Sequence, residues 1–185
     1  MNVEIYLDEL NSKRAQNFFD IYTIDNKVSV PDIKTYLGAK ETRKCRFCNR
    51  TNEDVSFSKD AHVIPEFMGN KKLLSYFECD ECNIKFSIYE DSFAKFIGAS
   101  RTISQIKGKT KTKVPKHKDP KSGLEISLGE TGIHVGVQND SNEVVIDEDA
   151  KELIIKTKRQ TYVPIHIPKI LTKIGMCLLK DDQTT

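Results

Sequence analysis

The chain of 185 residues has no tryptophan, an apolar content of only 38% and a formal net charge of just +2. It also lacks any apolar run near the 20 or so residues that a bilayer span needs. Its start, Met1-Asn-Val-Glu-Ile-Tyr6, has no basic segment leading into an apolar stretch, the mark of a secretory signal. The expectation is a cytoplasmic chain with no membrane partner. So small a net charge gives no argument for nucleic acid by itself; any such argument must come from where the charge sits. A length of 185 residues suits one compact domain, or a small metal-centred module with an elaborating region. With a core this modest, a structural metal is a natural supplement.

What the chain does have is paired cysteine. Cys45-Arg-Phe-Cys48 and Cys79-Asp-Glu-Cys82 are two C-x-x-C knuckles. The turn inside each lets both sulfurs converge on one ion, and two knuckles supply the four thiolates of a closed tetrahedral Zn²⁺ site. The competing readings are two disulfides or four small buried side chains. Disulfides need an oxidising compartment, and paired thiols of a cytosolic chain more often bind metal. The fifth cysteine, Cys177, lies in an apolar C-terminal run and reads as a core residue.

Between the knuckles stand Ala61-His62-Val-Ile-Pro65 and Gly69-Asn70, and Asn83 follows the second knuckle directly. These residues, in this order and spacing, resemble the HNH (ββα-metal) endonuclease family over about residues 41–100. They are closest to its zinc-stabilised branch, which includes the phage resolvases that cut branched DNA. The resemblance implies that His62 ends the first strand of a hairpin and acts as general base, and that Asn70 braces the loop. It further implies that Asn83, at the start of the helix, binds a catalytic divalent cation, Mg²⁺ or Mn²⁺. Products with 5′-phosphate and 3′-hydroxyl ends, a bacterial or phage origin, and work in restriction, phage defence or DNA processing are implied in the same way. One departure stands out. The family often carries Asp before the histidine as a charged metal ligand, where this chain has Ala61. Asp60 and Glu66 are the nearest carboxylates; strand alternation puts Asp60 on the same face as His62, which makes Asp60 the candidate substitute. Asn83 has a second reading as a helix N-cap.

The expected fold class is α+β: a treble-clef-like, zinc-anchored ββα-metal (HNH) module with N-terminal helices and a C-terminal antiparallel β meander plus a helix. Residues 1–40 form an N-terminal helical segment, with an amphipathic helix over 7–20 and a short one over 31–38, flanked by Pro31 and Gly38; both are expected to cover the back of the module. Within 41–100, the runs at 54–58 and 61–64 suit the hairpin, ended by Pro65. The stripe Phe86, Tyr89, Phe93, Phe96 and Ile97 gives a helix stopping at Gly98, and is core rather than a base-stacking surface. Residues 101–121 are a basic arm carrying Arg101, Lys107, Lys109, Lys111, Lys113, Lys116, Lys118 and Lys121. The arm is either a solvated linker or a phosphate-backbone contact that gains affinity by counterion release; His117 within it reads as one more polar contact. Residues 122–185 hold strand-like runs at 124–128, 133–137, 144–146 and 153–155, with His134 a surface strand residue, then an amphipathic helix over 169–179. The chain ends on Lys-Asp-Asp-Gln-Thr-Thr without a capping element, which fits a further domain beyond residue 185 or a frayed tail. A homodimer is the remaining partner expectation.

The leading functional expectation is therefore a metal-dependent endonuclease acting on DNA, with RNA the alternative substrate. Its rivals are a zinc-anchored nucleic-acid binder without catalysis and a zinc-organised protein-interaction module.

Overall fold

The computed structural model describes residues 9–23, 28–107, 113–137 and 143–180. Its elements are α1 (Glu9–Phe19), β1 (Thr35–Leu37), β2 (Ala61–His62), a 3-10 turn (Glu66–Met68), β3 (Leu73–Ser75), α2 (Asp80–Ile97) and α3 (Ser100–Ile103). Then follow β4 (His117–Asp119), β5 (Leu124–Gly129), β6 (Gly132–Gly136), β7 (Val144–Asp147), β8 (Glu152–Ile155) and α4 (His166–Leu178). The class is α+β, as the residue pattern predicts. No described helix is long and apolar enough to cross a membrane.

α1 forms where the periodicity of residues 7–20 places it. It does not serve as the expected cover for the module: Phe18, Phe19 and Tyr22 pack on one another, with ring centroids 5.3 and 4.7 Å apart, and remain more than half exposed. The helix expected over 31–38 is instead β1, which pairs in parallel with β3 in the register Thr35↔Leu73 to Leu37↔Ser75. The proline and glycine that frame a helix equally frame a short strand, and pairing with β3 decides between them. Gly38 has φ +86°, and a Cβ there would lie 2.5 Å from the Phe77 ring, so the strand must leave through a glycine.

The hairpin also differs from expectation. β2 pairs antiparallel with β3, Ala61↔Ser75 and His62↔Leu74, rather than with residues 54–58. The sheet order is β1-β3-β2. Residues 56–59 are held by Asp80, the first residue of α2. Its carboxylate accepts from Ser56 Oγ and Ser58 Oγ at 2.6 Å each, from Ser58 N at 3.1 Å and from Lys59 N at 2.9 Å. Side-chain satisfaction of these backbone groups removes the need for a strand partner. Pro65 opens the 3-10 turn, and the strand itself ends at His62.

α2 begins after Cys79, which is extended, and ends at Gly98 (φ +57°). Phe86, Tyr89 and Phe93 are buried on its inner face, with Phe96 and Ile97 packed beside them. The C-terminal half is antiparallel, as expected, but divides in two: β4-β5-β6 form one sheet and β7-β8 a separate hairpin. β4 lies inside the stretch anticipated as a loose basic arm, paired with β5 through Lys118↔Glu125. Leu124 and Ile126 of β5 pack with Ala99, just before α3.

α4 starts at His166, earlier than the apolar run suggests, and packs on α2. Its Ile170 joins the cluster of Cys45, Cys79, Cys82 and Phe86, and its Cys177, buried as expected, packs with Val63 and Leu73. Arg46 of the first knuckle donates to Met176 O (2.7 Å) and Leu179 O (2.9 Å), satisfying carbonyls at the end of α4. The same guanidinium lies 3.4 Å over the Phe77 ring.

Asp80 is 8% exposed. Burial pushes its pKa up, but the hydrogen bonds from Ser56, Ser58 and Lys59 outweigh that and hold the carboxyl well below its usual range. A depressed folded-state value means that its stabilisation is complete above about pH 4, the ordinary aspartate pKa, and is lost as the pH falls below that. Asp80→Ala is expected to cost at least about 2 kcal/mol in chemical denaturation at neutral pH. In Asp80→Asn the acid limb of stability between about pH 4 and lower values should flatten; an unchanged pH profile would show that the clamp is not an ionised one.

Candidate metal centre and active site

The first knuckle is shaped by its backbone. Cys45 N–H donates to Arg50 O at 2.9 Å and Asn49 N–H to Cys45 O at 2.8 Å. Asn49 takes φ +60°, a left-handed conformation that asparagine tolerates. Lys44 and Thr51 then close the turn as an isolated bridge. The second knuckle straddles the start of α2, with Cys79 just outside and Cys82 in the first turn. Arg50 ties the two together through Glu81 at 2.5 Å.

All four Sγ atoms lie within 4.8 Å of one another, and Cys48 and Cys79 Sγ are 3.8 Å apart. A tetrahedral zinc with Zn–S near 2.3 Å requires S···S of about 3.8 Å. The cysteines are free thiols, which removes the disulfide reading. Burial pushes the Cys45 and Cys82 thiols up, and for Cys82 the neighbouring Cys45 adds to this. At Cys48 burial acts the same way, yet the Arg50 N–H and guanidinium overcome it and hold the thiol at about 6. A dication among them would be what holds all four as thiolates at neutral pH. The four-sulfur donor set, three members buried, fits a closed structural Zn²⁺ with no position left for substrate.

His62 ends β2, opposite Leu74, and is half-buried. From there the chain turns through Pro65 and Gly69 to Asn70, which is 1% exposed. The Asn70 carboxamide donates to Ile64 O and Leu73 O, both at 2.8 Å, and accepts from Leu73 N at 2.9 Å and Lys72 N at 3.2 Å. One side chain thus holds both ends of the loop between β2 and β3. Lys173 Nζ donates to the carbonyl of His62.

Asn83 lies in the first turn of α2, half-buried, with its N–H on Cys79 O. The N-cap position belongs to Cys79, so capping is not the role of Asn83. Ala61 is buried. Asp60 is engaged on both oxygens, by Lys34 Nζ and the Tyr36 hydroxyl at 2.7 Å each. The Lys34 and Tyr36 hydrogen bonds keep its carboxyl below the usual range, so it stays ionised at neutral pH.

The basic residues divide. Arg101, on α3, is half-buried, with Glu66 of the 3-10 turn as its acidic neighbour. Lys116 and Lys118 both pair with Glu125, at 2.8 and 2.7 Å, and hold that carboxyl down at about 2. Lys107, Lys113 and Lys121 are exposed. Lys109 and Lys111 lie outside the described residues. His117 is half-buried in β4, and its Nε2 has no hydrogen-bond partner among the described residues. His134 sits on β6 with its Nε2 3.1 Å from Thr131 Oγ1, a surface strand position as anticipated.

Sequence reasoning missed Asp80, Arg46, Arg50 and Lys173. Lys173 left a signal, because it occupies the buried stripe of α4 between Ile170 and Cys177, where spacing calls for an apolar residue. The purified protein should contain one Zn²⁺ per chain by elemental analysis. Chelation should unfold the region around α2, because the metal's binding energy is part of its folding energy. Zinc-free protein with unchanged circular dichroism would reject the site.

Residues 45–106 match the family model described as HNH endonuclease, a third of the chain that includes both knuckles, His62, Asn70, Asn83 and α3. No curated protein and no solved structure matches the chain. Over residues 45–106 the chain is therefore similar to the HNH endonuclease family.

Proposed function

We propose that this protein is a metal-dependent endonuclease that hydrolyses phosphodiester bonds of DNA. The observation that carries the reading is the buried Asn70 carboxamide. It spends four hydrogen bonds on the loop that begins just after His62, which is the investment expected where one side chain must be held in place. His62 is the proposed general base, taking a proton from water as it attacks phosphorus in line. Asn83 and Asp60 are the proposed ligands of a divalent cation, Mg²⁺ or Mn²⁺, whose charge would stabilise the transition state and the leaving 3′ oxygen. Asp60 is already ionised, and its pair with Lys34 is about half exposed, so a cation would displace only a weak surface contact. Restriction, phage defence or DNA processing in a bacterial or phage setting is the corresponding biological role.

Ala61 favours one second reading. Without the usual carboxylate before His62, the module is a zinc-anchored nucleic-acid binder that does not cut. Plasmid nicking with Mg²⁺ or Mn²⁺ separates the two. His62→Ala is expected to abolish nicking while zinc content, fold and DNA binding persist. Asn83→Ala should raise the metal concentration required, and Asn83→Asp should be tolerated better. Asp60→Ala should act like Asn83→Ala; an unshifted metal requirement would confine Asp60 to its contacts with Lys34 and Tyr36. Mn²⁺ should support activity better than Mg²⁺, being less demanding of ligand type and geometry. Wild-type nicking retained in His62→Ala would reject the mechanism. DNA binding without cleavage under any divalent ion would establish the second reading, and neither binding nor cleavage would point to a protein-interaction module.

The basic residues extend the proposal to binding. Replacing Lys107, Lys109, Lys111 and Lys113 by Ala should flatten the salt dependence of DNA affinity, by about one unit of slope for each phosphate no longer neutralised. Lys116→Ala and Lys118→Ala should matter less, since Glu125 already neutralises them in part. An equal effect from both groups would overturn that division.

A further inference from the structure

Lys173 is the only buried cation among the described residues, at 2% exposed. Its Nζ meets Glu78 Oε2 at 3.1 Å, and the two side chains are 1% and 0% exposed. Neither Glu78 oxygen has a hydrogen-bond partner among the described residues, so its contact with Lys173 is an ion pair. An apolar pair of the same size in place of a buried ion pair is often neutral or stabilising, so stability alone gives no reason for these charges. The other contact of Lys173 does: Nζ also donates to the carbonyl of His62.

That carbonyl needs a donor from outside the sheet. Val63 N–H donates to Leu73 O at 3.2 Å, so 63 and 73 are of the hydrogen-bonded type. In an antiparallel ladder the types alternate, which makes His62 and Leu74 the non-hydrogen-bonded pair. β2 is the outer strand of the order β1-β3-β2, so the His62 carbonyl points out from the free edge toward α4. We propose that Lys173, held by Glu78, is a positioning residue for His62: it fixes the His62–Val63 peptide plane and through it the direction in which the imidazole is presented. The inference rests on the endonuclease reading for its catalytic meaning, but the placement of His62 is testable without it.

The test uses the full zinc-loaded chain and three variants: Lys173→Met, Lys173→Arg, and the double change Lys173→Met with Glu78→Leu. The double change leaves no buried charge unpaired and so guards against simple unfolding. In plasmid nicking, the double variant is expected to lose about 10- to 100-fold in kcat, as for a misplaced reacting group, with KM for DNA little changed. Lys173→Arg should recover part of that activity. In parallel, the ¹³C carbonyl resonance of His62 and its ring signals should move in the double variant and largely return in Lys173→Arg, with zinc content constant. A folded, zinc-loaded double variant that nicks at the wild-type rate, or whose His62 signals do not move, overturns the proposal. If the wild-type protein cuts nothing, the endonuclease reading alone fails, and the His62 resonances still decide whether Lys173 positions the side chain.

Discussion

Four sulfurs drawn to one point are the constraint on which the rest of the structure depends. The three-residue and two-residue strands beside them are too short to hold a sheet together. The apolar cluster that includes Cys45, Cys79 and Cys82 is also where α2 and α4 meet. A metal at this point cross-links a loop, the start of a helix and, through Ile170, a distant second helix. In a chain with so modest a core, one such cross-link substitutes for much apolar burial.

The family module was legible because its information is local and chemical. Two knuckles, a histidine before a proline, and an asparagine after the second knuckle each sit in a few consecutive residues, and thiolates at that spacing have few other uses. The aromatic stripe of α2 was equally plain, since burial on one face imposes its period on the sequence. What failed was decided elsewhere. Residues 31–38 carry helix-like punctuation, yet β3 claims them as a parallel neighbour, a choice made by a segment some forty positions away. Residues 54–58 carry β-prone side chains, yet Asp80 binds Ser56, Ser58 and the adjoining Lys59 with one carboxylate.

The site shows the same division. Asn70 is placed by short-range turns, and its hydrogen bonds stay within a few residues, whereas the His62 carbonyl meets Lys173 from a distant helix. Asp60 was singled out by strand alternation, but its partners Lys34 and Tyr36 come from β1 and its approach, elements that the sequence did not reveal as a strand. The basic arm was legible as charge and not as pairing. Only the register of β4 on β5 brings Lys116 and Lys118 within reach of Glu125. Ladder register is a property of two segments together and cannot be seen in either alone.

The reach of α4 across the chain sets an order of assembly. Arg46 and the buried Cys45 of the first knuckle find their partners at Ile170, Met176 and Leu179, more than a hundred residues later. During synthesis at about 5–20 residues per second, the metal centre is therefore exposed on one side for something like ten seconds before α4 emerges to close it. A nascent chain in that interval has its knuckles but not its finished core.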